Sequence, residues 1–436
     1  MERPKKKPVS VATAFIAVAL CGYSAAYAQD TPTGSGGTDP ASETIAKLGS
    51  DTLRNPNELE EQWRQNRQQK KSFFGPVGRN AAFEEWRQGL NEKGLLLDLS
   101  ATHIIQHSDS TETSEDTASS YELLLFGTWT PIGFGTESPL TFGFETFFLE
   151  RLGTDITPIE LSANIGSGWP TAVALDNSRL ILGQTWVQKK FNNKIGFRLG
   201  RLFAISAYDY FPLKNWRTDF ADGINSANLV MPIPSPIGWG GFAMYKPTPK
   251  VYIRAGFHDA NADSTEIGFD TWEGETFKIL EIGFDPGIAE RQQGAPPPGD
   301  IHLSFWQQDA RDDLNIDDGW GVAFSASQRF GNYLPFFRAG FSEGGTDGPA
   351  LLEKSVSFGF AVDNILPNNS DRLGLSYSWG DPTADGLRNQ KTIDAFYRFQ
   401  VTDRLAISPM AQYIIDPVNS DEDDIFVVGL RTRFAF

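Results

Sequence analysis

The carboxyl-terminal segment of the chain alternates strictly between two kinds of side chain, and this alternation constrains the fold more than any other feature. One face of residues 425–436 carries Phe426, Val428, Leu430, Thr432, Phe434 and Phe436. The opposite face carries Ile425, Val427, Gly429, Arg431, Arg433 and Ala435. The same division recurs in 356–363, 372–379 and 393–401. Because side chains on a β-strand point alternately to opposite sides, the pattern predicts strands whose two faces meet different surroundings.

Two all-β architectures fit such a pattern. A soluble sandwich buries the apolar face, whereas a transmembrane barrel turns that face to lipid and its polar face to a wet lumen. Alternation alone does not decide between them. Phe436 at the end of the chain favours the barrel, and so do aromatic residues at segment ends, as interfacial girdles require. These aromatic residues are Trp129, Trp320, Phe330, Tyr333 and Trp379.

The mature chain has no run of about 18 apolar residues, so we expect it to cross a membrane only by strands of a closed barrel. We predict a transmembrane antiparallel β-barrel of about 16 strands, an even number that leaves both termini on one side. The predicted strands are 95–107, 119–130, 139–150, 179–191, 194–203, 237–246, 250–260, 276–284, 300–306, 319–330, 333–342, 355–363, 372–380, 390–401, 404–415 and 425–436. Short turns fall on the terminal side and long acidic connections on the other, with 285–299 as the exception.

The amino-terminal region has the features of a secretory signal peptide. Basic residues at 3–7 precede an apolar run at 9–20, and Ala26 and Ala28 fit an A-x-A cleavage site. We therefore assign 1–28 as a signal peptide and expect export to the envelope of a Gram-negative bacterium. Residues 29–82 form a linker and a short, polar helical extension, whose helix in 58–71 we expect to be solvated in the periplasm. Residues 83–436 form the barrel domain.

Composition excludes several classes of function. The chain has 55 acidic and 38 basic residues, a formal charge of −17, so we expect no nucleic-acid partner. The single cysteine lies in the signal peptide, the four histidines are scattered, and no G-x-S-x-G or H-E-x-x-H motif occurs. We therefore expect no catalytic residues, no metal site and no cofactor. The acidic loops are expected to be solvated or to face lipopolysaccharide.

The alternation of side chains along each strand, here called strand parity, places a set of charged side chains on the lumen face. An unpaired charge facing lipid at the membrane midplane costs about 2–4 kcal/mol, so these groups must face water or one another. They either stabilise the wall through contacts with water and with one another, or form a constriction that selects solutes by size and charge. The inward set also contains Asp98 and Glu122, and the candidate pore-lining residues are Glu145, Arg198, Arg254, Arg338, Arg398 and Arg431. Arg201 has the wrong parity, so either its strand has ended or Gly200 marks a bulge.

The longest connection, 204–236, is too rich in aromatic and apolar residues to be a wholly solvated loop. We expect it to fold inward and narrow the lumen. Its aromatic rings could pack against a sugar, and its charged groups could bind hydroxyls; packing of the aromatics without any ligand is the alternative. The candidate residues are Tyr208, Asp209, Tyr210, Trp216, Arg217, Asp219 and Asp222.

Several segments resemble the carbohydrate-selective porin (OprB) family. The clearest is 397–436, YRFQVTDRLAISPMAQYIIDPVNSDEDDIFVVGLRTRFAF, which is similar to that family's terminal hairpin. GRLFAISAYDYF at 200–211, WGGFAMYKPTPKVYIRAGFHDAN at 239–261 and WRQGLNEKGL at 86–95 are looser matches. The resemblance implies a sixteen-stranded outer-membrane barrel and passive uptake of sugars through a narrowed lumen.

We therefore expect an outer-membrane diffusion porin whose partners are sugars or small neutral polyols, outer-membrane lipid and lipopolysaccharide. A general or ion-selective porin is the alternative within transport. A barrel acting mainly as an envelope anchor, and a barrel enzyme, are alternatives of other classes. A homotrimer is an assembly common among porins, although no interface is legible in the sequence.

Overall fold

The computed structural model describes residues 59–436 except 69, 78–80, 174–175, 193, 233–236 and 287–298. The predicted signal peptide and residues 29–58 lie outside the described residues. The helices are α1 (Leu59–Arg67), α2 (Ala81–Glu92), α3 (Pro158–Asn164), α4 (Ala204–Ala207) and α5 (Gly223–Ser226). No helix in this described part is long and apolar enough to cross a membrane.

Sixteen strands make up most of the described chain, and each predicted segment corresponds to one of them. They are β1 (Leu95–Ser108), β2 (Thr117–Ile132), β3 (Leu140–Arg151), β4 (Arg179–Phe191), β5 (Ile195–Phe203), β6 (Ile237–Tyr245), β7 (Val251–Asp259), β8 (Thr276–Phe284), β9 (Gly299–Gln308), β10 (Gly319–Gln328), β11 (Tyr333–Glu343), β12 (Leu352–Asp363), β13 (Arg372–Pro382), β14 (Gln390–Gln400), β15 (Leu405–Ile415) and β16 (Asp424–Ala435).

The strands form one closed antiparallel barrel in sequence order. Each strand pairs with its neighbours along the chain, and β1 pairs with β16 to close the sheet, with Ile104 opposite Arg431. Closure pairs the backbone groups of both terminal strands, which is what a sheet in lipid requires. The predicted transmembrane barrel of sixteen strands is therefore confirmed.

The two faces of the wall differ as the alternation predicts. On β2, Leu123 and Leu125 are each 43% exposed, whereas Glu122 and Leu124, which alternate with them, are buried. The exposed leucines form part of the lipid-facing surface. The inward residues are buried although a barrel this wide could hold an aqueous channel, because other segments of the chain fill its lumen.

The amino-terminal helices differ in their surroundings. Helix α2 precedes the first strand and exposes Phe83 and Trp86. Helix α1 forms in the predicted segment, but the expectation that it is solvated is wrong. Leu59 and Trp63 are only 1% and 2% exposed, because the helix packs against the inner faces of β1 and β2. A polar helix can be buried there since the wall that it meets is itself polar.

Candidate pore constriction

The predicted constriction loop folds into the barrel. We use this name for residues 204–232, the described part of the connection between β5 and β6. Among those whose side chains are described, all but Thr218 and Leu229 are buried. A solvated surface loop would leave most of its residues exposed. The loop is therefore held inside the lumen, and its contacts with the wall explain how.

The first attachment of the constriction loop is centred on Asp209. Its carboxylate accepts hydrogen bonds from Arg338 on β11 and from His302 on β9, the latter at 3.2 Å. The other ring nitrogen of His302 lies 2.7 Å from the Asp300 carboxylate, and the Asp209 N–H donates to Glu281 on β8 at 3.1 Å. Burial alone would raise the pKa of Asp209, but Arg338 and His302 outweigh it and hold that pKa below its usual range.

Backbone carbonyls next to Asp209 are bound as well. Arg254 on β7 donates to the carbonyl of Ala207 at 2.8 Å. The Lys214 ammonium, within the loop, donates to the carbonyls of Tyr208 and Asp209 at 2.6 and 2.7 Å, closing a tight turn. Asp209 adopts φ = +53° in this turn, a left-handed conformation that aspartate accepts more readily than most residues.

The second attachment joins the loop to β2 and β16. The Arg217 guanidinium binds Glu122 through two hydrogen bonds, of 2.7 Å from Nε and 2.6 Å from Nη2. Both side chains are almost fully buried. Beside them, Arg431 donates to the carbonyls of Trp216 and Asp219, the latter at 2.7 Å. A guanidinium that binds a carboxylate through two hydrogen bonds fixes the relative orientation of the two side chains as well as their distance.

The third attachment holds the Asp219 side chain. Arg372, the first residue of β13, lies 2.5 Å from the Asp219 carboxylate and also binds Asp363. Arg398 on β14 lies 3.8 Å from the same carboxylate and donates to the carbonyl of Thr218 at 3.3 Å. Sequence reasoning selected Arg398 and Asp219 but missed Arg372.

These attachments lie on opposite sides of the barrel. Asp209 is bound by β8, β9 and β11, and Arg217 by β2, which is seven positions from β9 in the closed ring of sixteen. Asn225 donates to the Ser376 hydroxyl on β13 at 2.9 Å, and the Ser355 hydroxyl on β12 donates to Asn228 at 3.0 Å. The constriction loop therefore crosses the lumen and is held around most of its circumference.

The aromatic candidates of the constriction loop are packed against protein. Tyr208 lies 6.1 Å from Phe242, centroid to centroid, and its hydroxyl donates to the carbonyl of Phe257 at 3.0 Å. The Trp216 ring is covered by the Arg217 guanidinium at 4.6 Å. Tyr208, Tyr210 and Trp216 are all buried. In this arrangement, Trp216 offers an N–H group rather than an open ring face.

Asp222 begins helix α5 inside the loop. Its side chain accepts a hydrogen bond from the Ile224 N–H, and the following N–H, that of Gly223, donates to the carbonyl of Pro170 at 2.8 Å. Burial raises the pKa of Asp222, and the carboxylate of Asp394 nearby raises it further. Asp222 therefore caps a helix and is not one of the residues that pair with a wall arginine.

Two predicted pore-lining residues interact within the wall. Gln184 donates to Glu145 at 2.5 Å, and Arg198 donates to Gln188 at 3.1 and 2.6 Å. The Arg198 guanidinium also lies 3.7 Å from the ring centroid of Trp186. Both charged side chains face inward and are buried, as parity predicts.

Arg201 does not point into the lumen with these groups. It donates to the carbonyls of Asp263, Ser264 and Glu266, and so it holds the outer loop between β7 and β8. The preceding Gly200 has φ = +146°, and a Cβ there would lie 2.4 Å from the carbonyl oxygen of Thr185. The strand nevertheless continues to Phe203 and pairs in continuous register with β4 and β6 through Gly200, so neither explanation suggested for Arg201, an end of the strand or a bulge at Gly200, is correct.

A second inward loop, between β3 and β4, was not predicted. Its helix α3 starts with a capping box formed by Thr157 and Glu160. Further along, the Val173 N–H donates to the carbonyl of Ala221 in the constriction loop, and Gln412 on β15 donates to the carbonyl of Thr171 at 2.9 Å. The length of this connection and its apolar residues could have indicated inward folding.

Within the part of the chain that the structure describes, no cluster of His, Cys, Asp and Glu residues could hold a metal ion. The buried carboxylates are engaged instead with arginine, histidine and backbone N–H groups. The site can therefore contribute hydrogen bonds, charge and shape to a passing solute.

A cavity below the constriction loop is lined by Tyr210, Tyr252, Arg254, Asp285 and Asp300. Its volume of about 10 Å³ is enough for one water molecule. Tyr210 and Arg254, both selected from the sequence, thus meet at one water-sized space whose lining also includes Met244 and Val251.

Comparisons with known proteins agree with this architecture. The high-pH structure of Pseudomonas putida OprB has a TM-score of 0.63 at 15% identity, covering 81% of this chain and 97% of that one. The low-pH structure of Pseudomonas putida OprB has a TM-score of 0.51 at 13% identity, covering 82% and 97%. At such identities these similarities show the fold. No match was found among curated proteins.

The model of the "Carbohydrate-selective porin, OprB family" matches residues 136–342 and 354–436, well over half of the chain. This family and this fold are those of channels in the outer membrane of Gram-negative bacteria. The chain therefore belongs to the carbohydrate-selective porin family, OprB, and is an outer-membrane carbohydrate porin.

Proposed function

We propose that sugars or small neutral polyols cross this porin by passive diffusion past the constriction loop, and that the wall residues selected above define the path. The proposal depends mainly on one observation, which is that the loop crosses the lumen and is held by charged residues on opposite walls. Two of the three acidic side chains of the loop are paired with arginine, Asp209 with Arg338 and Asp219 with Arg372. Paired charges exert a weaker field on ions than free ones, which favours neutral solutes over a purely charge-selective filter.

Hydrogen-bond donors in the site support polyols as the solutes. The indole Nε1 of Trp216 and the Nε and Nη2 of Arg431 are buried with no hydrogen-bond partner among the described residues. Buried donors normally have a partner, so these are suited to water or to solute hydroxyls. A solute would exchange water for a few weak contacts, and weak contacts keep the throughput high.

Single-channel conductance in a planar bilayer tests the proposal. We expect a monosaccharide or disaccharide to reduce the current in a saturable way, and Trp216→Phe to weaken this block because it removes the N–H but keeps a ring. Trp320→Phe is the matched control, since Trp320 is 45% exposed on the outer face of β10. Wild-type current that is indifferent to every sugar, with a strong preference for one ion sign, would instead support the ion-selective alternative.

We further propose that residues 1–28 direct export, that the acidic outer loops face lipopolysaccharide, and that the porin assembles as a homotrimer. The export step predicts a mature chain that begins at Gln29, which amino-terminal sequencing of the outer-membrane protein can test. Native mass measurement in detergent tests the trimer, and a monomer mass would contradict it.

A further inference from the structure

Helix α1 lies inside the barrel, close to its wall. Leu59 and Trp63 belong to the same buried apolar cluster as Leu124 and Phe126 of β2. An α-helix with its side chains is about 10–12 Å across, so even two to three turns occupy much of a lumen cross-section. Helix α1 is therefore an obstruction in the path that the preceding proposal assigns to solutes.

Two polar contacts clamp the carboxyl-terminal end of helix α1. Arg67 forms an ion pair of 2.8 Å with Asp98 on β1, and both side chains are buried. Arg433 on β16 donates to the Asn66 side chain at 2.8 Å. Asp98 is near the start of β1 and Arg433 near the end of β16, so this end of the helix lies toward the periplasmic mouth.

The chain leaves the lumen over the rim next to the turn between β14 and β15. The N–H groups of Phe73 and Phe74 donate to the carbonyls of Gln400 and Val401 at 3.1 and 3.0 Å. The Val77 N–H donates to Asp403 at 2.8 Å. These bonds fix the segment after α1 across the rim, so the helix is held at its end and also through its connection to α2.

Helix α1 shares its wall with the constriction loop. It contacts β1 and β2, and β2 also supplies Glu122, which binds Arg217 of the loop. The loop and the helix thus approach the same side of the lumen from different directions. A solute that crosses the lumen therefore encounters both.

The barrel does not need helix α1 to complete its wall. The wall strand β1 turns Asp98, Ser100 and Thr102 toward the helix side, and the hydroxyls of Ser100 and Thr102 are buried with no hydrogen-bond partner in the described structure. Without the helix, water could bind these groups. Backbone pairing of β1 with β2 and β16 does not involve the helix. Its position therefore calls for a role other than holding the barrel closed.

We propose that helix α1 is a second constriction, which sets the largest carbohydrate that the porin admits. This inference depends on the proposed function for its solutes, but not for its effect on ion flow. The body of the helix narrows the path, Trp63 anchors the helix against the wall, and the Arg67–Asp98 pair positions it. Both the ion conductance and the size limit for sugars should change when the helix is removed.

The test compares the full-length porin with a variant that lacks residues 59–67 and with Trp63→Ala. We expect the deletion to raise single-channel conductance several-fold and to admit larger oligosaccharides in a liposome-swelling assay. Trp63→Ala should give a smaller change in the same direction. Trp86→Ala is the matched control, since Trp86 is 55% exposed on helix α2.

The outcomes separate the two proposals. Unchanged conductance in a folded deletion variant would overturn the role of helix α1, even if sugars still cross. Raised conductance with no sugar flux in any variant would keep this role and reject carbohydrate diffusion. If the deletion variant does not fold, Trp63→Ala decides, because conductance equal to that of the wild type would then reject the second constriction.

Discussion

The ion pair between Arg217 and Glu122 offers a direct test of how the constriction loop is held. The two bonds are 2.7 and 2.6 Å long, and the side chains are 3% and 2% exposed. Removing one partner leaves the other charge buried and alone, which costs about 3–5 kcal/mol. Since each 1.4 kcal/mol is tenfold in an equilibrium, Arg217→Met should shift this corner of the loop toward detachment by more than about 100-fold.

The remaining attachments should keep the rest of the loop in place. Arg431 still binds the carbonyls of Trp216 and Asp219, and Arg338 still binds Asp209 on the other side. We therefore expect rapid fluctuations between conductance levels instead of one permanently larger pore. Single-channel recordings at constant voltage measure this directly, as excess current noise and as a higher mean conductance.

A double variant provides the control. In Arg217→Met with Glu122→Gln, neither member of this pair keeps its charge, so the cost should be smaller than for Arg217→Met alone. Its noise should lie near that of the wild type. Wild-type noise in Arg217→Met, or equal noise in the single and the double variants, would refute the argument that a buried ion pair holds this corner.

Three further predictions concern the wall and the first attachment. Leu125→Arg should lower the free energy of unfolding by about 2–4 kcal/mol, because the side chain at this position faces lipid. Urea titration in lipid vesicles measures this free energy, and an unchanged value would contradict the lipid-facing assignment. Gly283→Val should reduce the folding yield in detergent, because a Cβ there would lie 2.1 Å from the Tyr252 ring; a wild-type yield would mean that the ring moves freely. Burial raises the pKa of Asp209, but Arg338 and His302 lower it by more, so the net pKa lies below its usual range. The stabilisation from the ionised carboxylate is therefore complete above about pH 4, the pKa in the unfolded chain, and is lost only as the pH falls through the lowered pKa. Hydrogen exchange of the loop amides, corrected for the intrinsic pH effect, should thus show full protection at pH 5, and loss of protection there would contradict the assignment.

The barrel could be predicted from sequence because its wall separates lipid from lumen along every strand. Leu123 and Leu125 face lipid and Glu122 faces inward for the same physical reason, so a local pattern carries the global fold. The constriction loop could be predicted from its length and its aromatic content. Its attachment sites could not, because the pairing of Arg217 with Glu122 joins residues far apart in the chain.

The errors have physical causes as well. Arg372 is the first residue of its strand, where parity gives little indication of direction, and its partner Asp219 lies in a loop. Helix α1 was expected to be solvated because it is polar, but the lumen offers partners such as Asp98 to a polar helix. In a porin, polarity marks a surface that faces water or other polar groups, and both occur inside the barrel.

The way in which the wall arginines bind the constriction loop has a consequence for how this porin could evolve or be redesigned. Arg254, Arg398 and Arg431 all donate to main-chain carbonyls of the loop, those of Ala207, Thr218, Trp216 and Asp219. Every amino acid presents the same main-chain carbonyl, so these hydrogen bonds do not depend on which side chain the bound residue carries. Loop side chains other than Asp209, Arg217 and Asp219, which themselves bind the wall, can therefore be exchanged to suit a different solute while the scaffold that places them is inherited unchanged.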